Sequence, residues 1–102
     1  MFIARVKGNV VTTQKVAKMT GRKLLIVEPL QIDESGGKFS PTGKCFVAAD
    51  DIGAGLDEIV LVTQGSSSRM TVGTSDAPVD CVVIGIVDSV TTAKKTVYEK
   101  GR

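Results

Sequence analysis

The sequence predicts an all-β domain that closes into a small barrel. Short runs of β-branched and other apolar residues recur along the chain and are separated by glycine-rich turns, a pattern typical of strands. The pattern contains no long amphipathic helix, and we expect one short helical turn at most. In a chain of 102 residues, closing the sheet is the simplest way to remove exposed strand edges. We therefore expect residues 1–102 to form a single domain, a five-stranded OB-like β-barrel.

The most strongly patterned strand lies between Asp80 and Asp88, where nearly every residue is apolar and valine and isoleucine dominate. Strict alternation places two sets of side chains on opposite faces, Cys81, Val83 and Val87 on one and Val82, Ile84 and Ile86 on the other. Because both faces are apolar, this strand needs cover on both sides. One face suits the domain's own core, and we expect another copy of the chain to cover the second.

Shorter patterns predict the other strands. Alternation in the first strand places Phe2, Ala4, Val6 and Val10 on one face and polar residues on the other. Gly8 predicts a bend or a close backbone approach in that strand, and Pro29 predicts an edge or bulge in the second. The segment from Asp33 to Gly43 is predicted to be a polar hairpin end. The remaining predicted strands are Leu24–Val27, Cys45–Ala49, Ile59–Val62 and a short terminal strand within Lys94–Lys100.

Composition argues against several classes of protein. The net charge is only +2, which does not demand a nucleic-acid or membrane partner. No apolar run approaches the ~20 residues of a membrane span, and the N-terminus lacks the pattern of a signal peptide. Cys45 and Cys81 show no metal-like spacing, and we interpret them as reduced, buried thiols of a cytoplasmic protein in preference to a disulfide.

Motifs that carry catalytic chemistry are not found. The chain has no histidine, which excludes Ser-His and Cys-His nucleophilic arrangements and most catalytic zinc sites. Gly53-Ala54-Gly55 lacks the third glycine and the following helix of a dinucleotide loop. Asp80 and Asp88 would lie roughly 26 Å apart at about 3.3 Å per residue, too far to act together, and Asp50 and Asp51 are interpreted as turn caps. The sequence therefore predicts no enzyme, cofactor or metal site.

Single-stranded nucleic-acid binding is the alternative function for a barrel of this type. That function needs aromatic platforms in a basic groove. Phe2 and Phe46 fall in patterns that suit a core, which leaves Phe39, beside Lys38, as the one candidate for stacking. One stacking residue is too few, so assembly remains the preferred role.

Six ordered segments at matching spacing resemble the pentameric vertex proteins of bacterial microcompartments, the EutN/CcmL family, over nearly the whole chain. The segments are Ile3–Gly8, Thr20–Leu25, Asp51–Gly55, Val60–Val62, Gly65–Arg69 and Pro78–Asp88. The resemblance implies a barrel that assembles as a cyclic homopentamer and closes the corners of a polyhedral shell in the cytoplasm. It further implies hexameric shell proteins as partners, and no catalytic activity, nucleic acid or membrane. The segments around Cys45 and Cys81 look nearer to the ethanolamine-utilisation branch than to the carboxysomal one.

The same resemblance suggests which residues serve the fold and the subunit interface. Gly53 and Gly55 match the family's glycine turn, and Asp80 and Asp88 match the acidic residues that frame the long strand. Ile59 stands where many relatives carry tryptophan. The complete set of predicted assembly residues is Gly53, Gly55, Ser66, Ser67, Arg69, Asp80, Ile84, Ile86, Asp88, Val97 and Tyr98. Within this set, Arg69 is expected to pair with a carboxylate across the interface, and Val97 and Tyr98 to add a strand to the neighbouring subunit.

Overall fold

The computed structural model describes residues 1–13, 15–19, 21–33, 37–65, 79–93 and 95–101. Within these ranges the chain forms strands joined by loops and one 3-10 turn at Ala17–Met19. The strands are β1 (Phe2–Val10), β2 (Lys23–Asp33), β3 (Lys38–Pro41), β4 (Phe46–Asp50), β5 (Ile59–Gln64), β6 (Cys81–Ile86), β7 (Ser89–Thr91) and β8 (Thr96–Glu99). No helix in these ranges is long and apolar enough to span a membrane.

Five of the strands close into a barrel. The order around the sheet is β1-β5-β6-β4-β2, and a pairing between β1 and β2 joins the two ends. β4 and β6 run parallel, whereas the other barrel pairs are antiparallel. Closure leaves no exposed edge among these five strands. The prediction of an all-β, five-stranded OB-like barrel is therefore confirmed.

Two irregularities shape the barrel. The pairing of β1 with β2 shifts register between Val6 and Gly8, which confirms the bend predicted at Gly8. The pairing of β5 with β6 shifts between Leu61 and Val62, because Leu61 pairs with Gly85 and Val62 with Val83. An extra residue in one strand of a pair is a β-bulge, and it changes which way the following side chains point.

The barrel interior is filled mainly by small and β-branched residues. Valines suit this position because a branched Cβ packs well on a pleated surface. Each buried valine contributes roughly 1.5–3 kcal/mol relative to an exposed one. The core cluster consists of Ala4, Val6, Leu25, Val27, Ala48, Ala54, Val60, Val62, Cys81 and Val83.

A second, smaller cluster lies on the outside of the barrel. Val82 of β6 packs there with Ala49 and Val79, and the half-buried Met19 and Leu24 border it. The chain thus covers Val82 itself. The expectation that a second copy covers the whole second face of this strand is wrong at Val82.

The chain ends in a hairpin of β7 and β8. The rings of Phe39 in β3 and Tyr98 in β8 lie 5.7 Å apart, and the Nζ of Lys100 lies 2.7 Å from the Oε2 of Glu58. These contacts attach the hairpin both to the β2–β3 extension and to the barrel.

Three local expectations differ from the structure. The predicted polar hairpin end contains a strand, β3, that pairs with the second half of β2. Cys45 is exposed whereas Cys81 is buried, so only one of the two thiols is buried as expected. Phe46 is 42% exposed and contacts Phe2 across 5.9 Å between ring centroids, so its assignment to the core is wrong.

Candidate assembly surface

The bulge in β6 separates two isoleucines that strict alternation placed on the same face. Val83 pairs with Val62 and Ile86 pairs with Val60. Val83 belongs to the core cluster, and Ile86 packs against that cluster while half-buried. Ile84, the extra residue, is 37% exposed on the outside. Of the two isoleucines predicted to contact a neighbour, only Ile84 therefore points away from the barrel interior.

Asp80 and Asp88 flank β6 as predicted, and both are exposed. The structure adds that each anchors another segment through its backbone carbonyl. The carbonyl of Asp80 accepts a hydrogen bond of 2.8 Å from the backbone N–H of Gly65. The carbonyl of Asp88 accepts one of 2.7 Å from the backbone N–H of Lys100. The two ends of β6 thus fix the end of β5 and the terminal hairpin.

The glycine turn after β4 is built around a buried carboxylate. The carboxylate of Asp50 accepts hydrogen bonds of 3.0, 3.2 and 2.8 Å from the backbone N–H groups of Ile52, Gly53 and Ala54. The Nζ of Lys23 lies 3.7 Å from the same group. Gly53 has a φ of +85°, a conformation that favours glycine. Asp50 is therefore a turn cap, as its position at the strand end suggested.

Gly55 continues this turn through Glu58. The backbone N–H of Gly55 donates to the Oε1 of Glu58, while the Oε2 of Glu58 accepts from Lys100. The hydrogen bond from Lys100 has the larger effect and that from Gly55 the smaller, and both hold the pKa of Glu58 below its ordinary value. The hydrogen bond between Lys100 and Glu58 also raises the pKa of Lys100. The glycine turn and the terminal hairpin are therefore linked through one glutamate.

Val97 and Tyr98 lie in β8, which pairs with β7 of the same chain, Tyr98 opposite Val90. Phe39, the residue considered for base stacking, contacts Tyr98. Whether β8 also contacts a neighbouring subunit stays a prediction. Ser66, Ser67 and Arg69 lie outside the described residues, so their assignment to an interface also stays a prediction.

The structure reveals an outer apolar surface that the sequence analysis did not assign. A shallow groove of about 440 Å³ crosses β2, β1 and β5. The described residues that line it are Met1, Phe2, Ile3, Leu30, Ile32 and Leu61. One feature of the sequence could have indicated this surface. Ile3 is apolar although it lies on the strand face that otherwise carries the polar residues Arg5, Lys7 and Asn9.

Reactive side chains are not gathered in the part of the chain that the structure describes. No group of three or more potential metal ligands occurs there, and the buried carboxylate of Asp50 is used by the turn. The conspicuous features are an OB-type barrel and apolar side chains on its outer wall. These features define the class as a small OB-type β-barrel with an apolar outer wall, a surface typical of proteins that contact other subunits.

The comparisons with known proteins give this class a family. The family described as "Ethanolamine utilisation protein EutN/carboxysome" matches residues 1–88. The carboxysome shell vertex protein CcmL of Gloeobacter violaceus is 46% identical over 98% of this chain and 95% of its own. The microcompartment shell vertex protein EutN of Salmonella typhimurium is 44% identical over 98% and 96%.

Solved structures agree with the sequence relatives. The structure of Gloeobacter violaceus CcmL matches with a TM-score of 0.88 at 45% identity and covers 100% of both chains. The GrpN pentameric microcompartment shell protein of Rhodospirillum rubrum matches with a TM-score of 0.78 at 40% identity, covering 90% of this chain and 99% of its own. The chain belongs to the EutN/CcmL family, and the resemblance found in the sequence is confirmed. Identities of 46% and 44% do not separate the carboxysomal from the ethanolamine-utilisation branch.

Proposed function

We propose that five copies of this chain form a closed ring that occupies the vertices of a polyhedral microcompartment shell. The protein is a structural component of that shell and not an enzyme. The observation that carries this function is the match over nearly the whole chain to proteins named as shell vertex proteins. The nucleic-acid alternative is not favoured, since none of these relatives is named for it.

The ring of five is supported by the structural relatives. GrpN, which shares the barrel with a TM-score of 0.78, is described as pentameric. A cyclic ring uses heterologous contacts, in which one surface of a subunit meets a different surface of the next. Ile84 is one of the exposed apolar side chains on the barrel wall. Side chains of this kind are suited to such contacts.

Hexameric shell proteins are the partners that the vertex role implies. A sheet of six-fold units lies flat, and it closes into a polyhedron only where five-fold units replace six-fold ones. A pentamer of this chain would therefore sit at each corner with hexamers around it. The residues proposed for the contacts between subunits of the pentamer are Gly53, Gly55, Ser66, Ser67, Arg69, Asp80, Ile84, Asp88, Val97 and Tyr98. Ile86 is left out of this set because it packs against the barrel core.

Co-expression tests the vertex role directly. Hexameric shell proteins of one microcompartment are expressed with and without this chain, and the particles are examined by electron microscopy. We expect closed polyhedra that contain this chain in the first case, and open sheets or tubes in the second. Polyhedra that close equally well without this chain, or that exclude it, would contradict the vertex role.

A further inference from the structure

We infer that a basic groove between the end of β1 and the start of β2 binds an acidic segment of a partner protein. The groove has a volume of about 340 Å³, and its walls include Val10, Val11, Lys15, Arg22, Lys23 and Leu24. None of the described residues proposed above for contacts within the pentamer lines it. The inference therefore goes beyond the vertex role and does not depend on it.

The loop that forms one side of the basic groove is held against the barrel. The half-buried Met19 packs against the outer cluster around Val82. The backbone N–H of Met19 donates to the carbonyl of Val16 at 3.0 Å, and the backbone N–H of Arg22 donates to the carbonyl of Met19 at 3.1 Å. The loop is therefore ordered before a partner binds, which reduces the entropy cost of association.

The carboxylates of the chain balance the positive charge of the basic groove only in part. The guanidinium of Arg22 lies 3.5 Å from the carboxylate of Asp51, and the Nζ of Lys23 lies 3.7 Å from that of Asp50. The Nζ of Lys15 donates instead to a neutral backbone carbonyl at 2.9 Å. None of the described residues that line the groove is acidic. Lys15 is therefore the cation best placed to meet a carboxylate from outside the chain.

Aliphatic side chains beside these cations favour a peptide over a small anion. Val11 is 81% exposed and Val16 is 62% exposed, and the two flank Lys15 in the same loop. A small anion would contact the cations and leave these aliphatic side chains in water. A peptide that carries both carboxylates and aliphatic side chains contacts both kinds of group. Single-stranded nucleic acid is disfavoured, because none of the described residues that line the groove is aromatic.

A short fluorescein-labelled peptide that contains glutamate and leucine is the probe, and fluorescence anisotropy measures its binding. Lys15→Glu reverses a charge in the groove. Lys44→Glu is the matched control, because Lys44 is also exposed but lies beside Phe2, at the opposite end of the barrel. Val11→Asn removes exposed aliphatic surface without changing the net charge. Circular dichroism and native mass spectrometry compare the folding and assembly of each variant with those of the wild type.

We expect the wild-type chain and Lys44→Glu to bind the peptide equally well, with an affinity that falls as the salt concentration rises. Lys15→Glu should weaken binding about tenfold, and Val11→Asn should weaken it about threefold. The same peptide with glutamine in place of glutamate should bind at least about tenfold more weakly.

Four results would overturn the inference. They are no binding by the wild-type chain, equal losses in Lys15→Glu and Lys44→Glu, oligothymidylate binding as tight as peptide binding, and a folded Lys15→Glu that no longer assembles as the wild type does. The last result would place the groove between copies of the chain. All four leave the vertex role intact, whereas a wild-type chain that is not a pentamer but binds the peptide would overturn the vertex role alone.

Discussion

Val83 and Ile84 are consecutive residues of β6, yet Val83 is 2% exposed in the barrel core and Ile84 is 37% exposed on the outer wall. The bulge between β5 and β6 sends Ile86 back toward the core and leaves Ile84 outside. One strand thereby contributes both to the folding of the chain and, as we propose, to contacts between subunits.

Aspartate at these two positions should therefore have different effects. Val83→Asp buries a carboxylate in the core and should cost about 3 kcal/mol or more of the free energy of unfolding. Ile84→Asp should change the free energy of unfolding of the dissociated chain by less than about 1 kcal/mol, while the pentamer weakens. Urea unfolding at low protein concentration and native mass spectrometry measure the two effects. An equal loss of stability in both variants would contradict the placement of Ile84.

Asp50 should be the most important carboxylate for stability in the described part of the chain. Its side chain is fully buried, and Asp50→Ala leaves three backbone N–H groups without their acceptor. We expect a loss of about 2–4 kcal/mol in urea unfolding at fixed protein concentration. Asp51→Ala is the matched control, because the carboxylate of Asp51 is 42% exposed and lies 3.5 Å from Arg22. That variant should lose no more than about 1 kcal/mol, and similar losses in both would refute the cap.

The attachment of the terminal hairpin should depend on pH through Glu58. Its pKa is lowered from 4.5 by the hydrogen bonds from Lys100 and Gly55, so the folded state favours the carboxylate. The ionised Glu58 stabilises the attachment of the hairpin fully at pH values above the ordinary pKa of 4.5. This stabilisation is lost as the pH falls through the lowered pKa. Lys100 has the opposite pH dependence, because its pKa is raised from 10.5. Its stabilisation of the hairpin is complete below the ordinary pKa and is lost as the pH rises through the raised pKa.

Hydrogen exchange of the β7–β8 amides measures this attachment. Protection should decrease in acid in the wild-type chain, and Glu58→Gln should remove most of that dependence. Asp51→Asn changes an exposed carboxylate that pairs with Arg22 and not with the hairpin, so it is the control and should behave as the wild type does in acid. An unchanged acid response in Glu58→Gln would show that the glutamate does not hold the hairpin.

The two thiols should react at very different rates. Cys45 is exposed, whereas burial and the nearby Asp80 raise the pKa of the Cys81 thiol. Because the thiolate is the reactive form, iodoacetamide at neutral pH should label Cys45 quickly and Cys81 only on unfolding. Peptide mass spectrometry identifies the labelled residue. Rapid labelling of Cys81 in the folded protein would contradict its burial, and slow labelling of Cys45 in the pentamer alone would place it in a subunit contact.

The barrel strands were predictable because their apolar patterns are long enough to show a period. β3 was not, since Lys38–Pro41 is four residues long, contains proline and is held mainly by pairing with β2. The exposure of Cys45 and Phe46 was also unpredictable, because both belong to an apolar run whose first part lies at the barrel end. The local sequence pattern shows that these residues are apolar. The pairing of the strands in the folded barrel decides which of them the barrel encloses.

The candidate surface shows the same limit in another form. A period of two predicts opposite faces for Val83 and Ile84, but it also places Ile86 with Ile84, and this assignment of Ile86 is wrong because of the bulge. Gly85 was the available signal, since a glycine inside a strand often marks a bulge. The glycine turn and its capping aspartate were predictable, because Asp50 followed by Gly53 and Gly55 is a local signal. The outer apolar groove was not, since it joins residues of β1, β2 and β5 that are far apart in sequence.

Native mass spectrometry of the purified chain, with sedimentation velocity at several protein concentrations, tests the central claim most directly. The account predicts one dominant species of five copies that persists on moderate dilution. A folded monomer or a two-fold dimer across that concentration range would contradict the ring and the vertex role that depends on it.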